Sequence, residues 1–340
     1  MMQMQSRRFA LIAMLAAVEV VILGMAAFVL SGHSLWSWTG SAGYSPAQTV
    51  PGAHPIAPLA AGNAPAVYID DPQSRVTVSP SRDGLVHVQD RTHFSGLTWG
   101  SDAAHIPALT VTRSADGVRI VRPSYHLGFF GFFMDDERGI DVQVPSGSSV
   151  QIARCSGAGV NGITNGVSAT SIDGSISIAD SSGNVSAHSN DGRVELRRVR
   201  GGTLEISSDD GSLHLTDVTA NALTAKTGDG SIHAQGIVLN GSAPRATVHS
   251  GDGSVRVDGL FPGSGTYEIS SGDGSIGLAL ASGSNATIAA HTDDGSMTLD
   301  GQSFHNDGGN QQQLRVGDGS SSLNVSSGDG SIHITTNGAP

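Results

Sequence analysis

The chain has 340 residues, with 18 Lys and Arg against 30 Asp and Glu and a formal net charge of −12. This balance argues against nucleic acid as a partner, because too few cations are available to neutralise a phosphate backbone. The 46 Gly and the low aromatic content, 5%, suit many short strands joined by tight turns. The lone cysteine, Cys155, excludes an internal disulfide framework.

The N-terminus is predicted to be a cytoplasmic stub, residues 1–8, followed by a transmembrane α-helix, residues 9–30. The run from Phe9 to Leu30 is apolar except for Glu19. A helix of that length spans roughly 33 Å, enough to cross a bilayer. Glu19 should cost about 3 kcal/mol, and the aliphatic and Phe residues offset this at about 0.3–0.6 kcal/mol each.

The flanking charges predict the orientation of this span. Arg7 and Arg8 precede it, and no charged residue follows it before Asp70. The positive-inside rule then places the N-terminus in the cytoplasm and the rest of the chain in the periplasm or outside the cell. A cleaved signal peptide is the alternative. Glu19 is either a tolerated polar residue within the span or a contact to a partner membrane helix.

Two regions follow before the repeats begin. Residues 31–65 are rich in Pro, Ala, Gly and Ser and are predicted to be a semi-extended linker. Residues 66–155 alternate apolar and polar residues between turn signals, as in Arg75–Val78. They are predicted to be an N-terminal β region that continues into the repeats.

An apolar cluster stands out in this β region and is flanked by glycines and by acidic residues. It consists of Phe129, Phe130, Phe132 and Phe133. One interpretation is that it packs over the open end of the core. The other is an interaction loop that contacts a partner or the membrane.

The C-terminal half, residues 156–338, is organised by a recurring Asp-Gly pair followed by a short alternating segment. The pairs begin at Asp173, Asp191, Asp210, Asp229, Asp252, Asp273, Asp294, Asp318 and Asp329. Their spacing of 18 to 24 residues, with a final interval of 11, is typical of one coil in a stacked repeat protein. The short last interval suggests a half-coil or a closing hairpin. The fold class is therefore mainly β, a single-chain β-solenoid preceded by one transmembrane helix.

Aligning the repeats on the Asp, position 0, predicts which residues face inward. Positions +3, +5, −4 and −6 are apolar in nearly every repeat and are predicted to form the core. Position −2 is Ser or Thr and position +2 is mostly Ser, which suggests hydroxyl ladders beside the corner.

The Asp-Gly corner has two interpretations. In the first, Asp accepts a nearby backbone N–H and Gly supplies a positive φ. In the second, calcium lies between stacked carboxylates, whose like charges would otherwise repel. The nine-residue pattern of calcium β-rolls is missing from the sequence, so no cofactor is predicted beyond this calcium hypothesis.

Position +4 faces outward and offers a candidate metal row. Glu195, His214 and His233 occupy it in three consecutive repeats, so their side chains could converge on one divalent ion. The alternative is an ordinary polar row. The sequence contains no Gly-x-Ser-x-Gly, His-Glu-x-x-His, Walker or dinucleotide motif. No catalytic residue is therefore predicted.

The strand, Pro-Ser-Gly turn and strand at Ile140–Ile152, followed by reiterated Ser-Gly-Asp-Gly-Ser-Ile, resemble the bacterial putative-adhesin domain of unknown function. Members of that family include extracytoplasmic proteins of envelope-stress operons. The resemblance covers about Ala66 to Thr336. It implies a β-solenoid exposed at the cell envelope and implies no catalytic residues.

The function expected from these features is that of a membrane-anchored, extracytoplasmic, non-enzymatic β-solenoid, acting as adhesin, scaffold or stress accessory. Its partners would be the membrane, through residues 9–30, and an envelope protein or surface glycan. One alternative is a carbohydrate-active β-helix enzyme. Another is a self-assembling, bactofilin-like structural element.

Overall fold

The computed structural model describes residues 55–99, 106–114, 117–125, 130–304 and 310–336. The predicted stub, the predicted span at 9–30 and most of the predicted linker lie outside these residues. Among the residues described, no helix is long and apolar enough to cross a membrane.

The regular structure of the described residues consists of strands, named β1 to β29 in chain order. Their bounds are β1 Pro55–Leu59, β2 Ala66–Asp70, β3 Arg75–Pro80, β4 Val86–Asp90, β5 His93–Trp99, β6 Thr110–Arg113, β7 Gly117–Val121, β8 Phe130–Glu137, β9 Gly139–Val144, β10 Ser149–Cys155, β11 Gly157–Asn161, β12 Val167–Ser171, β13 Ile176–Ala179, β14 Val185–Ser189, β15 Val194–Arg197, β16 Arg200–Ser208, β17 Leu213–Thr216, β18 Thr219–Thr227, β19 Ile232–Leu239, β20 Arg245–Ser250, β21 Val255–Leu260, β22 Thr266–Ser271, β23 Ile276–Leu280, β24 Ala286–Thr292, β25 Met297–Leu299, β26 Gln302–Phe304, β27 Asn310–Val316, β28 Ser321–Ser327 and β29 Ile332–Thr335.

The chain divides into two compact units. One includes 93–107 and 125–137 and holds the antiparallel hairpin of β5 and β8. The other includes 52–92, 108–124 and 138–340 and holds the strands of a β-solenoid. The hairpin is therefore a separate insertion in the region predicted as one continuous β segment. Strand β1 lies inside the predicted linker, where Ile56 aligns with Val88 of β4, so that part of the linker prediction is wrong.

Each solenoid coil contributes one strand to each of two parallel faces. The first face runs through β10, β12, β14, β16, β18, β20 and β22, and the second through β11, β13, β15, β17, β19, β21 and β23. Residues of equal repeat position align between neighbouring coils. The apolar rows at +3, +5, −4 and −6 are buried, as the alternation predicts.

The corner between the two faces is held by the hydroxyl at position −2. Ser250 Oγ accepts the N–H of Gly253 at 3.0 Å within its own coil and donates to the carbonyl of Gly230 in the preceding coil at 2.8 Å. The same pair of bonds is made by Ser189, Ser208, Ser271, Thr292 and Ser327. The predicted hydroxyl ladder at −2 is confirmed, whereas at +2 a hydroxyl pair joins Ser296 and Ser331.

The corner glycines are required for a different reason from the one predicted. Of the nine glycines in the Asp-Gly pairs, Gly319 has a positive φ, 70°, and the other eight do not. A Cβ on Gly253 would instead lie 2.2 Å from the carbonyl oxygen of Gly230 in the preceding coil. Gly211, Gly230, Gly274 and Gly330 would meet the same obstruction at 2.2 Å. The glycine therefore serves the close stacking of coils.

The corner aspartates do not hold the turn. Their side chains are exposed from Asp173 to Asp329, and the N–H that closes the turn is bound by the hydroxyl at −2. The interpretation in which Asp accepts a nearby N–H is therefore wrong at these corners, but it holds at Asp318, whose Oδ1 accepts the N–H of Ser320 at 3.0 Å. Asp318 is no corner at all, because it lies in the turn between β27 and β28.

Both ends of the solenoid break the sequential order of coils. At the N-terminal end, the coil of β7 and β9 stacks outside the coil of β2 and β3. At the C-terminal end, the coil of β28 and β29 inserts between that of β22 and β23 and that of β24 and β25. Antiparallel strands then cover the outermost coils, β6 and β4 at one end and β27 and β26 at the other.

A buried ion cluster ties the N-terminal coils together. The Nε of Arg122 donates to Asp71 at 2.8 Å, and its Nη2 lies 2.6 Å from a carboxylate oxygen of Asp90. The three residues follow or end β2, β4 and β7, and Arg122 is 1% exposed. Removing one partner of a cluster at this depth costs about 3–5 kcal/mol, because a buried charge is left uncompensated.

Replacing a corner glycine should destabilise the solenoid without any strain in φ. Gly253→Ala puts a methyl group against the Gly230 carbonyl, and we expect a loss of about 1–3 kcal/mol in the free energy of unfolding, measured by urea denaturation. Gly159→Ala is the control, because a Cβ there meets nothing within 4 Å. Equal losses in the two variants would contradict the stacking explanation.

The hydroxyl ladder makes a second prediction. Ser250→Ala removes one acceptor and one donor from buried backbone groups and should cost about 1–3 kcal/mol in urea denaturation. Ser250→Thr should retain most of the stability, since Thr292 makes the same two bonds in its own coil. An alanine variant as stable as the threonine variant would show that these bonds contribute little.

Candidate functional site: an outward row and groove on the second face

The side chains that a partner can reach on the second face form outward rows between the buried ones. The row at +4 contains, on consecutive coils, Glu195, His214, His233, Arg256, Gly277 and His333. Because parallel strands lie about 4.8 Å apart, each of these residues neighbours its counterpart on the next coil. This row is more basic than the chain as a whole.

The three residues of the predicted metal row do lie next to one another on consecutive coils. Glu195 aligns with His214 and His214 with His233, and the two imidazole centroids are 6.1 Å apart with planes tilted by 45°. No group of three or more His, Cys, Asp or Glu in the described part of the chain is arranged to hold a metal ion. The corner aspartates of the described residues belong to no such group either.

The fold changes the titration of His214. Partial burial lowers the pKa of the imidazole, and the charges of Arg193 and His233 lower it further. Glu195 acts in the opposite direction with a smaller effect. The fold therefore favours the neutral form of His214.

A groove of about 810 Å³ opens further along the same face. It runs over β23, where Gly277 and Ala279 leave the outward surface low, between β21 and β29. Arg256 and Asp258 rise on one side, and His333 and Thr335 on the other. The groove is thus lowest at these two small residues of the outward rows.

Arg256 lies close to the floor of this groove. Its Nε is 3.7 Å from the position that a Cβ on Gly277 would occupy. Arg256 is exposed, and among the described residues it has no hydrogen-bond or ion-pair partner. An arginine without a carboxylate partner in a chain of net charge −12 is a cation left available to an anionic ligand.

A second depression, of about 660 Å³, lies on the first face around Tyr68, Gln151, Ser168 and Glu205. Its nearby cation is already engaged, because the Arg119 guanidinium lies 4.3 Å from the centroid of the Tyr68 ring. Its lining otherwise offers neutral polar groups and one carboxylate. The second-face groove is therefore the better candidate for a charged ligand.

The aromatic segment predicted as a loop is a strand instead. Phe130–Glu137 forms β8, whose backbone register aligns Trp99 with Phe130 and Leu97 with Phe132. Phe133 aligns with Gly96. Phe129 lies outside the described residues.

Histidine–serine pairs between neighbouring coils are a feature that aligning the repeats did not identify. The Nδ1 of His188 is 2.9 Å from Ser207 Oγ, and the Nδ1 of His249 is 2.9 Å from Ser270 Oγ. A catalytic serine needs a base that a third residue orients. Among the described residues, no carboxylate is bonded to either imidazole.

The fold and surface together define the class as a parallel β-solenoid with an open polar groove and capped ends. The model of the Toastrack DUF4097 family matches residues 119–335, and the chain belongs to this family. The predicted resemblance to a bacterial adhesin-type domain of unknown function is thereby confirmed.

Among solved structures, the chain matches a putative adhesin from Bacteroides fragilis with 14% identity and a TM-score of 0.41. That alignment covers 86% of this chain and all of the other. A putative cell adhesion protein from Clostridium sporogenes aligns with 10% identity and a TM-score of 0.23, over 83% of this chain and 98% of the other. No curated protein matches the chain.

The lowered pKa of His214 predicts a pH dependence of stability. The unfolded chain, with an ordinary value of 6.5, takes up the proton at higher pH than the folded chain does. Protonation therefore favours unfolding, and the stability lost at this site grows as the pH falls below that value. His214→Gln should show a smaller drop in its urea midpoint between pH 8 and pH 5 than the wild type. His333→Gln controls for losing a histidine of the same row, and identical drops in all three proteins would contradict the prediction.

Proposed function

We propose that this protein is a membrane-anchored, extracytoplasmic, non-enzymatic β-solenoid that binds a component of the cell envelope through its outward rows. The observation that carries the proposal is the groove over Gly277, an open concave surface beside whose floor Arg256 lies without a hydrogen-bond or ion-pair partner among the described residues. Such a surface suits binding of an extended ligand from solution. Residues 9–30 would anchor the chain, with the N-terminus in the cytoplasm.

We prefer binding to the carbohydrate-active enzyme alternative, and the two differ in whether the saccharide is cleaved. The capped ends favour binding over a bactofilin-like filament. A coil edge that is covered by antiparallel β4 or β26 does not offer the parallel edge onto which an identical coil could stack. The hairpin of β5 and β8, which carries Phe130, Phe132 and Phe133 of the predicted interaction loop, is a second proposed contact surface, for a protein partner or the membrane.

The proposed topology can be tested by protease accessibility. The full chain carrying a C-terminal epitope should lose that epitope when protease is added to intact spheroplasts. A variant lacking residues 2–30 should keep it until the cells are lysed. Protection of the full chain before lysis would place the solenoid in the cytoplasm and contradict the proposal.

The proposed binding is tested separately. Purified full-length protein in detergent should co-sediment with washed cell envelopes in a saturable manner and release no new reducing ends from them. Sedimentation that fails to saturate would mean that no defined site is used. Release of reducing ends would favour the enzyme alternative.

A further inference from the structure

The groove over β23 is lined by several kinds of polar group. Arg256 supplies a guanidinium beside the floor, and no residue in the described part of the chain pairs with it. Asp258, two residues along the same strand, supplies acceptor oxygens on the same wall. Exposed hydroxyls border the groove at position +2, from Ser231, Ser254, Ser275 and Ser331. The opposite wall adds His333 and Thr335.

These groups match the chemistry of a sugar acid. A guanidinium binds a carboxylate through two parallel N–H···O bonds, which gives geometric selectivity as well as affinity. The hydroxyls and the Asp258 carboxylate can exchange hydrogen bonds with ring hydroxyls. The lining contains no Phe, Tyr or Trp on which a neutral sugar ring could stack. The charged contact would therefore have to provide the recognition.

The charge of the whole chain sharpens this assignment. A net charge of −12 repels polyanions at long range, so non-specific attraction cannot supply the binding. A polyanion that does bind must be held by local geometry at an uncompensated cation. Arg256 is such a cation, and it lies in a groove lined by residues of four neighbouring strands.

We propose that this groove binds an acidic saccharide, with Arg256 holding a uronate carboxylate and the serine row and Asp258 holding ring hydroxyls. This inference rests on the proposed function as an envelope-binding protein and names the ligand class of its groove. The ligand would lie over Gly277, where a larger residue would take its place.

The structure offers two probes with matched controls. Arg256→Gln removes the guanidinium, and Arg245→Gln removes an exposed arginine from the other face of the same coil. Gly277→Val fills the groove and pushes Arg256 away, without strain in φ and with only ordinary contact at its Cβ. Gly159→Val makes the same change in the same outward row, outside the groove, where a Cβ meets nothing within 4 Å.

The test is isothermal titration of the full-length protein in detergent with oligogalacturonate. We expect saturable binding, weakened about tenfold or more by Arg256→Gln and by Gly277→Val. The variants Arg245→Gln and Gly159→Val should bind as the wild type does. A neutral dextran oligomer of equal length should not bind. Circular dichroism of each variant before titration shows whether it is folded, and thermal melting shows whether its stability is kept.

Three results would overturn the inference. If polyphosphate binds equally well with the same dependence on Arg256, the groove recognises charge alone and not a saccharide. If oligogalacturonate does not bind but Gly277→Val abolishes co-sedimentation with envelopes, the ligand class is wrong and the proposed binding function stands. If neither groove variant changes binding to oligogalacturonate or to envelopes, the groove is not the site.

Discussion

The corner contact between consecutive coils is the constraint on which the solenoid depends. The carbonyl of one corner glycine accepts a hydroxyl from the next coil, and that hydroxyl also holds the N–H of its own corner. The arrangement works only at a spacing that leaves no room for a Cβ, as the 2.2 Å separation at Gly253 shows. One Ser or Thr and one Gly per coil therefore define both the turn and the distance to the next turn.

This constraint explains why the coils can vary so much elsewhere. Once the corner aligns neighbouring coils, residues of equal repeat position lie above one another, and inward positions need only be apolar and of compatible size. Tyr267 and Ala290 both occupy inward rows and both are buried. The loop on the far side of each coil is free to change length, which is why the repeat spacing varies. The ends, where a coil lacks a neighbour, need antiparallel strands instead.

Much of this architecture could be predicted from the sequence because stacked coils repeat their local pattern. Alternation identified the buried rows, and the run of hydroxyls at −2 identified the ladder. The role of the glycine could not be predicted, because a residue needed for close approach and one needed for positive φ look alike in a sequence. Asp318 was misleading for a similar reason, since its Asp-Gly-Ser lies in a turn of the cap. The insertion of β28 and β29 between earlier coils depends on pairing that no local pattern encodes.

The same reasoning separates structural from functional glycines. Gly253 lies just before β21 and Gly277 lies within β23, both on the second face. A Cβ would clash at Gly253, whereas there is room for one at Gly277. Packing therefore explains Gly253 and leaves Gly277 unexplained by the fold. What Gly277 does provide is a low outward surface over which Arg256 lies without an ion-pair partner among the described residues. Alignment of the repeats shows a glycine in a row that also contains histidines and an arginine. Only the structure shows that the Arg256 side chain lies beside the space left at Gly277. Gly277 has no side chain at an outward position, and the neighbouring Arg256 has no ion-pair partner among the described residues. This combination is expected at a surface that binds a ligand, because the fold itself does not require it.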